Sequence, residues 1–419
     1  MRESEAGVAR GRRRGCAAAT LGGKHRIRDE LRRALHPALA LFTAFLLGAI
    51  LIVLTDFEHL RQIGTDPLAA IGGALSGVLD GYPALFAGAI GDPGLYVAAI
   101  QTGNPEDVAA ALRPISETLV SATPFIFAGL GLAVSFRAGL FNLGVDGQWL
   151  IGGLGAFIAA TLVAGHVPPL LALVVAVFGG TIAGGAYGFV AGFLKARTGA
   201  HEVITTLMLN GLAPAVAFLI VGFIDLSAPQ AALPAVPPVI DLRTIRVDYG
   251  FIVALAMAAA VSALLFRSTL GFEFRATGFS RDAARVAGVR PGRTMMLAMF
   301  MSGGMVGMGS AFFGLGPAQG FTGGPTRDLG YLAVALALLA GRRPGGVVVV
   351  ALLYGALTTG AKSMVIVTGI PLALLTVIVA FAIMLVAAPE LTRSIWRLRP
   401  PQPGAESGAN TPAGPAVST

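Results

Sequence analysis

Ionisable and amide side chains are sparse in the apolar runs of this 419-residue chain, so each one found there is a candidate for chemistry. The densest group stands in RAGLFNLGVDGQWLIGG, residues 137 to 153, where Asn142, Asp146 and Gln148 share a hydrophobic stretch with Gly139, Gly144 and Gly147. A charge at membrane depth is costly and points to function by default. Glycines loosen a helix, and backbone freed at that depth is tolerated only inside protein or beside a watery cavity. Two readings follow: the three side chains brace a broken helix, or they line a polar path. Glu117 reads as an exposed helix end and Lys362 as a side chain snorkelling to the headgroups.

Other chemistries lack their residues. There is no G-x-x-x-x-G-K-[ST] loop to cradle nucleotide phosphates. The run MSGGMVG, 301 to 307, is faintly similar to an ATPase signature, but it lies in an apolar stretch where small residues suit close helix packing. His201 and Glu202 lack the second histidine of H-E-x-x-H, the five histidines are scattered, and Cys16 is alone. Neither a catalytic set nor a metal site nor a bound cofactor is expected.

The elements that must position these residues are membrane helices. Hydrophobic residues make up 55% of the chain and charged ones 12%, and the mean hydropathy is +0.77. Continuous apolar runs of about 20 residues fit helices crossing a bilayer core about 30 Å thick. The net charge of +8 does not imply nucleic acid, because the bases stand between apolar runs, where they set topology.

The pattern predicts an all-α, polytopic integral membrane protein of about ten transmembrane helices, at least one of them broken. The spans read as about 34 to 55, 115 to 136, 139 to 164, 168 to 192, 202 to 224, 249 to 267, 294 to 316, 329 to 341, 346 to 368 and 371 to 389. The run 329 to 341 is short and needs help from preceding residues. Residues 68 to 98, with many glycines and Pro83, read as interfacial or external pieces, and 225 to 248 as an external loop. Residues 56 to 113 hold seven acids and two bases, whereas 267 to 293 hold six arginines and two acids. Ten crossings from a cytoplasmic N-terminus place Arg137, Lys195, Arg197, Arg342, Arg343 and the 267 to 293 loop in the cytoplasm, and the C-terminus with them. Three parts result: a basic tail over 1–33, a transmembrane domain over 34–390, and a disordered cytoplasmic tail over 391–419.

FRAGLFNLGVDGQWLIGG resembles the F-x-A-G-x-F-N-x-G-x-[ED]-G-Q segment of ATP-binding-cassette (ABC) transporter permeases in the branched-chain amino acid and simple-sugar superfamily, in particular the longer permease of its nucleoside or simple-sugar subgroup. TGAHEVITTLMLNGLA (198 to 213), STLGFEFRATGFSRDAARVAGV (268 to 289) and ALALLAGRRPGGVVVVALLYGAL (335 to 357) match in the family's order. The resemblance implies a permease subunit of an importer in the bacterial inner membrane, taking up nucleosides or related simple sugars by alternating access. Its partners would be a second permease, an ATPase with two nucleotide-binding halves that hydrolyses ATP, and an extracytoplasmic substrate-binding lipoprotein. The rival is an ion-coupled secondary transporter. Within a coupling loop over 268–293, Asp282, Ala283, Ala284 and Gly288 form [DE]-A-A-x-x-x-G, with Asp where Glu is usual. These residues would dock the ATPase. Glu202 and Asn210 join Asn142, Asp146 and Gln148 as candidates for the translocation path.

Overall fold

The computed structural model describes residues 38–56, 61–223, 249–316 and 329–397. The expected tails and the external loop over 225 to 248 lie outside the described residues, apart from 391–397. The helices are α1 (Ala38–Thr55), α2 (Pro67–Ile90), α3 (Pro93–Thr102), α4 (Pro105–Arg137), α5 (Val145–Val163), α6 (Pro169–Thr198), α7 (Glu202–Phe223) and α8 (Tyr249–Arg267). Then come α9 (Thr269–Phe279), α10 (Arg281–Val286), α11 (Pro291–Gly314), α12 (Leu329–Leu339), α13 (Pro344–Thr368), α14 (Leu372–Ala387) and α15 (Pro389–Ile395). Seven of them carry proline in the first turn, where the missing N–H has no helical partner to lose. Asp66, Asp92 and Asn104 accept from N–H groups in the first turns of α2, α3 and α4.

Among the described residues nine helices are long and apolar enough to cross a membrane, and α12 and α14 are apolar but shorter. The chain is thus an all-α polytopic membrane protein. One reading needs correction: within 68 to 98 most of the glycines and Pro83 break nothing, since α2 runs unbroken for 24 residues through them, and the one interruption is at Gly91 and Asp92, before α3. Those glycines serve packing. A Cβ on Gly88 would meet Ser363, one on Gly81 would meet Met364, and Gly360 of α13 lies against the Leu85 carbonyl. Counting glycines marks α2 as broken, whereas a neighbouring helix uses them as a groove. The short α12 has 11 residues, and the preceding residues meant to extend it, 317–328, lie outside the described residues.

The chain divides into two compact units. In the unit Leu51–Val379, α11 crosses α6 along Gly180, Gly184 and Gly188 on one helix and Gly303 and Gly307 on the other. A Cβ on Gly307 would come within 2.1 Å of the Gly180 carbonyl oxygen, so the two backbones meet where no side chain fits. Lipid tails are as apolar as leucine, so close backbone approach rather than hydrophobic burial drives such a crossing. Phe127 of α4 stacks on Phe312 of α11 at 5.8 Å, and both lie in the buried core. In the other unit, formed by Met1–Ile50 and Ala380–Thr419, the Trp396 indole Nε1 donates to Thr43 Oγ1 at 2.9 Å.

Candidate functional site

The polar residues of 137 to 153 gather at a break. α4 ends at Arg137, residues 138–144 leave the helical path, and α5 begins at Val145. A buried break exposes backbone donors and acceptors that need partners. Leu140 N–H donates to the Ser135 carbonyl at 3.0 Å. Leu143 N–H donates to Thr206 Oγ1 at 3.2 Å, and the Leu143 carbonyl accepts from Asn210 Nδ2 at 2.7 Å. Gly144 N–H donates to Asn142 Oδ1 and Gly147 N–H to Asn210 Oδ1, both at 2.9 Å. Thr206 and Asn210 stand one turn apart on α7 and so meet the break from the same face.

Beneath the backbone sits an amide pair. Asn142 Nδ2 donates to Gln148 Oε1 at 3.0 Å and to Ser302 Oγ of α11 at 2.9 Å, while Gln148 Nε2 returns a bond to Asn142 Oδ1 at 3.1 Å. Asn142 is 0% exposed and Gln148 1%, so in this conformation neither meets solvent. Asp146 reaches elsewhere: its Oδ1 accepts from Gly330 N–H at 2.8 Å in the first turn of α12. A carboxylate at a helix start satisfies an orphan donor and complements the helix dipole. A Cβ on Gly330 would come within 2.7 Å of the Asp146 carboxylate, so glycine is what lets the two approach.

Glu202 does not join this network. It pairs with Lys195 at 2.9 Å, tying the last turn of α6 to the first turn of α7, with both side chains nearly enclosed. Tyr187 OH reinforces the same pair of helices by donating to the Leu209 carbonyl at 2.7 Å. Of the five sequence-predicted path residues, the break thus collects Asn142, Asp146, Gln148 and Asn210. Thr206 and Ser302 are the contributors that sequence reasoning missed. Thr206 was findable as a polar residue one turn before Asn210, but Ser302 lies in the small-residue run 301 to 307, which the sequence assigned to helix packing and not to a polar contact.

The segment over 268–293 is a separate construction of two short helices. Ser280 caps α10 by accepting from Ala283 N–H at 3.3 Å, and Gly288 takes φ +83° to turn the chain toward α11. Ala284 faces inward at 2% exposure, whereas Ala283 and Asp282 face outward. Phe279 at 94% and Val286 at 90% are nearly bare. The Asp282–Arg285 pair at 3.2 Å is fully in the open and adds little stability. Elsewhere the end of α1, α2 and the turn from α13 into α14 surround a cavity of about 1290 Å³ whose lining includes Asp80, Asp92, Ser363 and Thr368. None of the residues at the break lines it. Among the described residues no group of three or more His, Cys, Asp or Glu is placed to hold a metal ion.

This architecture has known relatives. Residues 115–388 match the model of the branched-chain amino acid transport system / permease component family. The chain is 36% identical over 293 residues to the guanosine ABC transporter permease protein NupP of Bacillus subtilis (strain 168), covering 67% of this chain and 83% of that one. It is 30% identical over 376 residues to the nucleoside ABC transporter permease protein NupB of Lactococcus lactis subsp. cremoris (strain MG1363), covering 86% and 92%. Similarity extends to the glucose ABC transporter permease protein TsgB13 of Haloferax volcanii, at 30% over 295 residues, 66% of this chain and 76% of that one. The family match takes in the break between α4 and α5, the α9–α10 segment and α13 together, so the chain belongs to the branched-chain amino acid transport system / permease component family and is the membrane-spanning permease subunit of an ABC importer, with ATP hydrolysis left to a partner chain.

Proposed function

We propose that this permease imports nucleosides across a bacterial plasma membrane, as the longer of two permease subunits served by an ATPase with two nucleotide-binding halves and a substrate-binding lipoprotein. The observation that carries the reading is the match along 86% of the chain to a nucleoside permease, joined by one to a guanosine permease. Simple sugars are the second reading, favoured by the match to a glucose permease.

In this reading the end of the bundle bearing Arg137, Arg342 and Arg343 faces the cytoplasm, with α10 as the coupling element. The inward Ala284 lets α10 lie close on its own subunit, and Phe279 and Val286 are the apolar anchors offered to the ATPase. Asn142, Asp146, Gln148, Glu202 and Asn210 act on the path by holding the non-helical stretch between α4 and α5 and the helices around it in register while the subunits rock. The cavity beside α2 lies at the other end of α13, about 37 Å away along a 25-residue helix, and forms an outer vestibule. An unpaired crossing by α2 would put the arginines outside. Hence α2 and α3 enter and leave on one side, which agrees with α3 packing on α4.

The test is guanosine uptake by proteoliposomes holding the complete complex. With ATP inside and the proton gradient collapsed, uptake continues and excess glucose does not compete. Loss of uptake despite ATP would instead mean ion coupling.

A further inference from the structure

Four arginines converge where α4, α9 and the turn into α13 meet. Arg137 closes α4, Arg275 lies in α9, and Arg342 and Arg343 form the turn before α13. Arg137 Nε donates to the Arg342 carbonyl at 3.3 Å. The guanidinium carbons of Arg137 and Arg275 lie 5.3 and 5.5 Å from the centroid of one ring, Phe266. Arg275, Arg342 and Arg343 all act on the charge of Arg137 through space. Like charges so close repel, and no carboxylate among the described residues pairs with any of the four; the ion pairs there are Lys195–Glu202 and Arg285–Asp282. Arg342 also sits at φ +58°, a left-handed conformation that residues with side chains adopt at a cost.

The neighbours say what the cluster meets. Phe266, Phe272 and Leu338 are all exposed, each on a helix that carries or adjoins one of the arginines. An acidic protein face would answer the charges but leave these apolar groups uncovered. The boundary of a bilayer answers both at once, with phosphate oxygens for the guanidinium forks and acyl chain for the rings.

We propose that Arg137, Arg275, Arg342 and Arg343 form a site for the headgroup of an anionic phospholipid, the phosphodiester held by the guanidinium groups and an acyl chain lying along Phe266 and Phe272. The site abuts the approach to α10, because a Cβ on Gly278 would come within 2.2 Å of the Arg137 carbonyl oxygen. Lipid bound there tightens the join between α4 and the α9–α10 segment. The inference rests on the chain spanning a bilayer and not on the identity of its solute.

Native mass spectrometry of the full-length chain, titrated with phosphatidylglycerol or phosphatidylcholine, reads the site without any transport step. Wild type retains phosphatidylglycerol in preference to phosphatidylcholine. Arg342→Gln with Arg343→Gln weakens that retention roughly tenfold, and Arg342→Lys with Arg343→Lys keeps most of it. If the double glutamine variant does not fold, Arg275→Gln must show the same direction of loss. Equal retention of the two lipids, or no effect of the glutamine variants, overturns the proposal. So does full displacement by millimolar inorganic phosphate, which would make this a site for a soluble anion. Loss of ATPase co-purification with unchanged lipid retention would assign the cluster to a protein interface and overturn it as well.

Discussion

At the scale of single residues, geometry separates side chains that composition groups together. Asp146 looks like a lone membrane carboxylate in the sequence, yet its Oδ1 is occupied by the Gly330 N–H. Asp146→Asn keeps an acceptor there, and thermal unfolding of the purified chain is expected to move little. Asp146→Ala removes it and costs about 1–2 kcal/mol, read as a lower unfolding midpoint with α12 loosened. Asn210 has more at stake because it serves both the Leu143 carbonyl and the Gly147 N–H. Asn210→Ala strands two backbone groups, and about 2–4 kcal/mol is expected, more than for Asp146→Ala. An Asn210→Ala chain as stable as wild type would mean that water reaches the break.

At the scale of elements, the crossing of α6 and α11 and the α9–α10 segment make opposite predictions. Gly307 lies on the Gly180 carbonyl with no space for a side chain. Gly307→Val forces the helices apart, costs about 3 kcal/mol or more, and is expected to abolish recovery of folded protein from membranes. Phe279 is almost wholly exposed, so Phe279→Ser leaves folding and insertion unchanged, within about 0.5 kcal/mol. In the assembled complex the same change is expected to lower substrate-stimulated ATP hydrolysis at least severalfold. Ala284→Trp acts differently, since Ala284 is enclosed by its own subunit. It should displace α10 and abolish stimulation while the permease remains inserted. Unaltered stimulation in both variants removes α10 as the coupling element.

At the scale of the whole molecule, charge and apolar length work along one axis. α13 begins beside Arg342 and Arg343 and ends near a cavity lined by Asp80 and Asp92, so a single helix joins a basic end to an acidic one. Cysteine labelling from outside cells tests the orientation. A cysteine placed at Arg343 is expected to resist an impermeant reagent, and one at Thr102, at the end of α3, to react. The reverse pattern inverts the topology and with it the assignment of α10 to the cytoplasm.

Membrane class and helical content were legible in the sequence, because the cost of unpaired backbone in lipid leaves few alternatives to long apolar helices. A polar, glycine-rich interruption was conspicuous too, but it was expected within a span over 139 to 164, whereas the helix is absent over 138–144 and α5 runs unbroken from Val145 through Gly147. Family membership was legible from the resemblance of motifs such as FNLGVDGQ and TTLMLN, and the structure shows residues of the two motifs bonded to one another across the break. Glycine, however, reads alike whether it breaks a helix or accepts a neighbour, so the continuity of α2 awaited the tertiary contact with α13. The partners of Asn142, Asp146 and Glu202 were equally hidden. Ser302 stands 160 residues from Asn142 and Gly330 stands 184 from Asp146, separations at which spacing carries no signal and only the packing of helices selects the pair.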